Sequence, residues 1–185
     1  MSPSPTDHLG QVRRSVSTVT RDGGELRLLT VERTLDARAA EVWSALTTAE
    51  RIARWWRPVS GDLEVGGRYR LDGQASGEVL DCVPTERLAL TWEDDGRVSW
   101  VDLSLRPTDA GTLLQLDHAV PADDPAYAEL GPGGSGTGWE VALAALAEHL
   151  ADPGADPGAD RVEPSTEFLA GSGAAWREAA AEARA

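Results

Sequence analysis

The hydrophobic positions change period along the chain, and the changes mark its elements. Residues Ser15 to Thr20 alternate Ser and Thr with Val, Asp22-Gly23-Gly24 is a turn, and Glu25 to Leu35 is rich in Leu, Val and Thr. This pattern predicts a first strand, with a hairpin partner before it. Ala39, Val42, Trp43 and Leu46 then follow a period of 3.6, predicting a helix capped by Asp36. Thr47-Thr48-Ala49-Glu50 has the spacing of a capping box for a second short helix from Glu50 to about Trp56, where Pro58 blocks continuation. Five further strands are predicted: Gly66 to Leu71, Ser76 to Val83, Arg87 to Glu93, Val98 to Leu105 and Thr112 to Val120. Turn signals at Asp72-Gly73, Asp94-Asp95-Gly96 and Asp109-Ala110-Gly111 separate several of them, as in an antiparallel meander. No helical segments intervene, as a parallel sheet would require.

Residues 121 to 136 read as a Pro/Gly-rich loop able to act as a flexible lid. The strongest helix follows. Thr137-Gly138-Trp139-Glu140 has capping-box spacing, Trp139, Leu143, Leu146 and Leu150 form one apolar stripe, and Asp152-Pro153-Gly154 ends the segment. Asp-Pro-Gly-Ala then recurs at 152–155 and 156–159 as a low-complexity linker, and roughly Gly173 to Arg184, with Trp176, can form a short amphipathic helix. The expected organisation is a disordered arm over 1–14, one domain over 15–152, and a linker and tail over 153–185. A six-stranded antiparallel sheet would bend around the long helix, with two short helices closing one end, and leave a pocket between sheet and helix.

Period-two counting puts Tyr69 and Leu71, then Leu88, Leu90 and Trp92, then Val101, Leu103 and Leu105, then Leu114, Leu116 and His118 on the buried face. Trp100 falls out of phase with Val101, which calls for a bulge or a second buried surface, and Asp81 has no assignable face. The ligand-lining set expected from this geometry is Trp55, Trp56, Tyr69, Trp92, Leu103, Leu116, His118, Trp139 and Leu143. His118 is the one candidate acid/base group, since an inward neutral imidazole can orient a ligand or move a proton; a histidine merely hydrogen-bonded at a strand end is the competing reading. Arg54 and Arg57 flank the Trp55–Trp56 pair and could meet a ligand carboxylate, or simply face solvent.

Composition narrows the partners. The 185 residues suffice for one core. The formal charge is −14 and every basic residue is arginine, a balance that opposes binding to nucleic acid or to anionic membranes. One cysteine, Cys82, permits neither an internal disulfide nor a thiolate zinc cluster. His8, His118 and His149 lack metal-ligand spacing, so no metal or other cofactor is expected. Gly131-Pro132-Gly133-Gly134-Ser135-Gly136 matches a dinucleotide-binding glycine pattern, but it does not follow a strand of a parallel unit. Met1 to Ser17 holds no apolar run and no segment reaches membrane-spanning length, so a cytoplasmic location without membrane insertion is expected.

Three stretches together resemble the SRPBCC (START-like) superfamily, and within it the branch named for the C-terminal domain of the heat-shock protein 90 ATPase activator. They are Val31-Glu32-Arg33-Thr34-Leu35 running to Val42-Trp43-Ser44-Ala45-Leu46 and Trp55-Trp56; Gly77-Glu78-Val79-Leu80 with Pro84, Arg87-Leu88 and Thr91-Trp92; and Gly138-Trp139 with Leu143, Leu146 and Leu150. The resemblance spans about residues 25 to 151. It implies an α+β helix-grip fold with a hydrophobic cavity, and no particular reaction. Three functions follow as expectations: binding of a small hydrophobic or amphipathic molecule by a monomer or homodimer; polyketide cyclase-like catalysis with His118, and Tyr69 beside it, as acid/base groups; and a chaperone-cofactor-like protein-interaction domain with a filled interior.

Overall fold

The computed structural model describes residues 8–154 and 164–183. The first seven residues of the expected arm and the second Asp-Pro-Gly-Ala unit lie outside the described residues. Eight antiparallel strands form one sheet: β1 (Val12–Arg21), β2 (Gly24–Leu35), β3 (Val59–Gly61), β4 (Arg68–Leu71), β5 (Ala75–Val83), β6 (Arg87–Asp94), β7 (Arg97–Thr108) and β8 (Gly111–Pro121). Their spatial order is β1-β2-β8-β7-β6-β5-β4-β3. Two strands thus extend the expected six. β1 is the hairpin partner suggested ahead of the first strand, and β3 has three residues, too few for a period to register. Two of the three Asp-Gly turns have both residues at positive φ. Asp22 and Gly23 have φ of 51° and 81°, and Asp95 and Gly96 have 49° and 74°, so each pair makes a two-residue turn of the twist that hairpins favour.

The pleat follows the predicted alternation on β4, β6, β7 and β8. The bulge lies at Val79/Asp81 on β5, and β7 runs past Trp100 in regular register. The extra residue reverses parity, so Cys82 packs against the inner cluster of Tyr69 while Asp81 turns outward to Arg87. Trp100 lies on the other, convex face with the Arg21 guanidinium 4.8 Å from its ring centroid.

Helices α1 (Ala39–Thr47) and α2 (Ala49–Trp55) follow β2. Their N-caps are Arg38 and Thr48, neither with a side-chain capping bond, so Asp36 does not cap the first helix and the expected capping box of the second does not form. The supposed loop is helical. Helix α3 (Pro125–Leu130) is capped by Asp124, whose carboxylate accepts from the Tyr127 amide, and helix α4 spans Pro132–Ala151. Proline at the first helical position and Gly131 at φ 66° set its start five residues ahead of Thr137. The lid expectation is therefore overturned, as is the Thr137–Glu140 capping box: Glu140 is 2% exposed and forms a bidentate pair with Arg14. Glycine costs about 1 kcal/mol per helical position relative to alanine, so four glycines in the first seven residues of α4 need tertiary support.

That support comes from the tail. Helix α5 (Thr166–Glu182), capped by Ser165, begins seven residues earlier than the sequence suggested and buries Phe168, Ser172, Trp176 and Ala179. A Cβ on Gly136 would stand 2.2 Å from Cε2 of Trp176, so only glycine admits that indole. Residues 8–14, read as part of a disordered arm, are likewise built into the domain. Arg33 and His8 are 3% and 2% exposed; the Arg33 Nη2 lies 2.8 Å from His8 Nδ1 and donates to Gln11, and His8 Nε2 lies 3.3 Å from Glu148. Gly136, Glu140, Ala144 and Glu148 thus form a second inward stripe on α4 that packs toward β1, β2 and α5, opposite in chemistry to the Trp139–Leu143–Leu146 stripe.

Two apolar clusters result. The larger joins β1, β2, β7 and β8 to α1, α4 and α5; the smaller holds Tyr69, Leu71, Val79 and Leu88 on β4 to β6.

Candidate functional site

The site sits where those clusters meet. Register carries Leu88, Leu90 and Trp92 of β6 opposite Leu103, Val101 and Ser99 of β7, and Val101 and Leu103 opposite His118 and Leu116 of β8. Four indoles converge above this face. Trp56 stacks on Trp55 at 5.5 Å and on Trp92 at 5.8 Å between centroids, and Trp139 of α4 meets Trp92 edge-on at 4.8 Å and Trp56 at 5.8 Å. The Trp55 N–H donates to the Ala45 carbonyl over 3.0 Å, which ties α2 to α1.

His118 is 5% exposed, as alternation predicted, and the geometry defines its state. The Trp139 Nε1–H donates to its Nδ1 over 3.0 Å, so the proton of the neutral ring sits on Nε2, which lies 2.9 Å from Ser99 Oγ. The Ser99 hydroxyl donates onward to the Trp92 carbonyl over 3.2 Å. Burial pushes the imidazole pKa down to about 4, against a small opposing pull from Asp124. The ring is therefore neutral near pH 7, and each of its nitrogens already has a partner. Tyr69 does not join it. Three strands separate β4 from β8, the Tyr69 hydroxyl donates to the Thr91 carbonyl over 2.7 Å, and burial, aided by Glu93, raises its pKa above the usual phenol value.

The nine expected lining residues divide. Trp55, Leu116, Trp139 and Leu143 are 8%, 3%, 8% and 3% exposed and pack in the larger cluster; His118 and Tyr69 are buried and hydrogen-bonded. Trp56, Trp92 and Leu103 remain half-buried and touch both clusters. Trp43 and Leu90 share that position but are outside the expected lining set, although alternation places Leu90 on the buried face and the helical period places Trp43 on the apolar stripe of the first helix. Leu90 could have been found, since it alternates between Leu88 and Trp92; Trp43 carries no signal beyond helical periodicity. Together these five half-buried residues mark an apolar seam, a candidate groove, between β6–β7 and the α1–α2 pair. Its side chains carry no charge, so it suits apolar contact rather than ionic chemistry. A separate open depression of about 430 Å³, lined by Arg68, Arg70, Ser76, Glu93 and Asp95 among others, lies over β4, β5 and the end of β6 and is polar.

Arg54 donates to the Pro153 carbonyl, and Arg57 reaches toward the β4–β5 turn at Gly73; neither is shown against the indoles. Among the described residues no three His, Cys, Asp or Glu side chains gather as a metal site, and no helix is long and apolar enough to cross a membrane.

Comparison with known proteins agrees with this architecture. The profile of the family described as "Activator of Hsp90 ATPase homolog 1-like protein" matches residues 36–151. CalU16 from Micromonospora echinospora is similar in its crystal structure (33% identity, 91% of this chain and 97% of that chain, TM-score 0.73). Its solution structure gives 36% identity over 93% of this chain and 96% of that chain, with a TM-score of 0.75. Protein MLL2253 from Mesorhizobium loti is 27% identical over 70% of this chain and 99% of that chain, at a TM-score of 0.61. DynU16, a protein in the dynemicin biosynthetic locus, is 26% identical over 70% of this chain and 48% of that chain, at 0.60. No curated protein matches. With the sheet, the two short helices and the long gripping helix in place, the chain belongs to the family of Activator of Hsp90 ATPase homolog 1-like proteins, within the SRPBCC superfamily and with its helix-grip fold.

Proposed function

We propose that the chain binds a small, uncharged, largely apolar molecule in the groove bounded by Trp43, Trp56, Leu90, Trp92 and Leu103. One observation carries this reading: Leu90, Trp92 and Leu103 on the concave face, and Trp43 and Trp56 on the helix pair facing them, stay half-buried, while Val101, Leu105, Leu114 and Leu116 nearby are closed. A patch of this kind on a soluble domain marks a place where something else binds. The groove's walls select for flat or apolar groups, because stacked and edge-on indoles offer large faces with their N–H groups of Trp55 and Trp139 already used. A relative whose locus is biosynthetic, DynU16, supports a small molecule rather than a macromolecule as the partner.

In this reading His118 is a structural orienter of Trp139 and not an acid/base catalyst, because a substrate would meet neither a free lone pair nor an unshared N–H on it. Titration with Nile red, following its emission and the quenching of tryptophan, tests the proposal. The native chain is expected to bind, and Leu103→Arg to lose at least tenfold in affinity while keeping its far-UV circular dichroism. Absence of binding by the native chain to Nile red and to a panel of apolar aromatic compounds, with no adduct in native mass spectra, would overturn it.

A further inference from the structure

The tail helix packs against the start of α4, next to the residue that walls the groove. Trp176 is completely buried, its ring resting on the backbone of Gly136, and its Nε1 finds no hydrogen-bond partner, so it is held by shape and apolar packing alone. Around this contact, a Cβ on Gly133 would lie 3.5 Å from the Gly173 Cα, and Thr137 Oγ1 lies 2.9 Å from Ser172 Oγ. While α5 also packs on β1, on α4 these contacts all fall within Pro132–Gly138, a glycine-rich stretch of low intrinsic helicity. The next residue is Trp139, which bonds His118 and forms the edge-on wall against Trp56 and Trp92.

We infer that Trp176 is a positioning residue for the groove: seated on Gly136, it holds the glycine-rich start of α4 helical and so fixes the Trp139 indole on His118. The tail thereby couples to a site it does not touch, through an element with two states, helical when α5 is docked and frayed when it is not. The inference rests on the proposed binding reading only for its consequence, since the link from Trp176 to Trp139 stands on packing.

Hydrogen exchange of the indole N–H groups, followed by NMR on the full chain, supplies the test. Trp139 and Trp55 both donate hydrogen bonds, but Trp55 lies on α2 and bonds Ala45, away from α5. In Trp176→Ala the Trp139 N–H is expected to exchange at least tenfold faster while Trp55 changes less than twofold. Gly136→Ala is expected to act in the same direction, although alanine is the better helix former, because its methyl displaces the indole. Should Trp176→Ala not fold, Trp176→Phe and Ser172→Ala replace it, with a smaller shift confined to Trp139. An unchanged Trp139, or equal acceleration at Trp139 and Trp55, overturns the inference, the latter meaning that α5 adds only global stability. Nile red affinity is expected to fall about tenfold in Trp176→Ala; if the native chain binds no Nile red, the binding proposal fails while the exchange ratio still decides this one.

Discussion

Two parts of one concave face both carry large apolar side chains at alternating positions and end in different states. Under α4, Leu29, Val31, Leu114 and Leu116 are 1%, 1%, 0% and 3% exposed. Under α1 and α2, Leu90, Trp92 and Leu103 stay half-buried, and a single strand, β7, carries a closed Val101 and a half-buried Leu103. The strands do not differ in pattern. The cover does: a 20-residue helix, itself held by α5 and β1, lies over the first region, while two short helices ending in Trp56 lie over the second. A strand's alternation determines which face a residue points to; the element above determines whether that face closes.

The comparison breaks most sharply at the polar seam that holds α4 in place. Glu140→Ala leaves Arg14 as an unpaired, largely buried charge, and denaturant unfolding is expected to show a loss of about 3–5 kcal/mol. If the loss is below about 1 kcal/mol, α4 does not depend on that seam. The next effect sets the two regions side by side. Leu114→Ala is expected to lose about 2–5 kcal/mol as a closed core residue, and Leu103→Ala clearly less, because part of its surface already faces solvent. Equal losses would mean that the groove is closed in solution.

Histidine protonation gives a third comparison. With His118 lowered to about 4 in the fold against 6.5 for the free side chain, the unfolded chain binds more protons between those values. Its contribution to stability is complete above pH 6.5 and is lost as pH falls toward 4, a loss of roughly 3 kcal/mol. Denaturation midpoints measured from pH 7 to 4.5 should therefore show a shallower decline in His118→Gln than in the native chain. The smallest effect belongs to the convex face. Arg87 bridges Asp81 and Asp102 with all three side chains substantially exposed, and Arg87→Ala should change stability by at most about 1 kcal/mol, diminishing with salt.

Much of the sheet was legible because its signals are local. Asp-Gly turns and strict alternation placed five strands and turned His118 inward, and the spacing Trp139–Leu143–Leu146 identified the face of α4 that meets the sheet. The candidate site was only partly legible. Trp56, Trp92 and Leu103 lie on the groove, whereas Leu116 and Leu143 resemble them in sequence and are closed by neighbours far along the chain. Asp81 could not be assigned because a one-residue bulge leaves no mark in composition.

The sequence by itself determined the order of elements, the facing of the strand residues and the apolar stripe of the long helix, since each depends on neighbours within a few positions. Tertiary structure alone decided that Pro132–Gly138 is helix, that His8 and Arg33 are interior, and that the tail docks. Glycine-rich sequence favours a loop until a partner needs its bare backbone. At Gly136 that partner is Trp176, forty residues away, and the packing of its indole supplies what local propensity lacks.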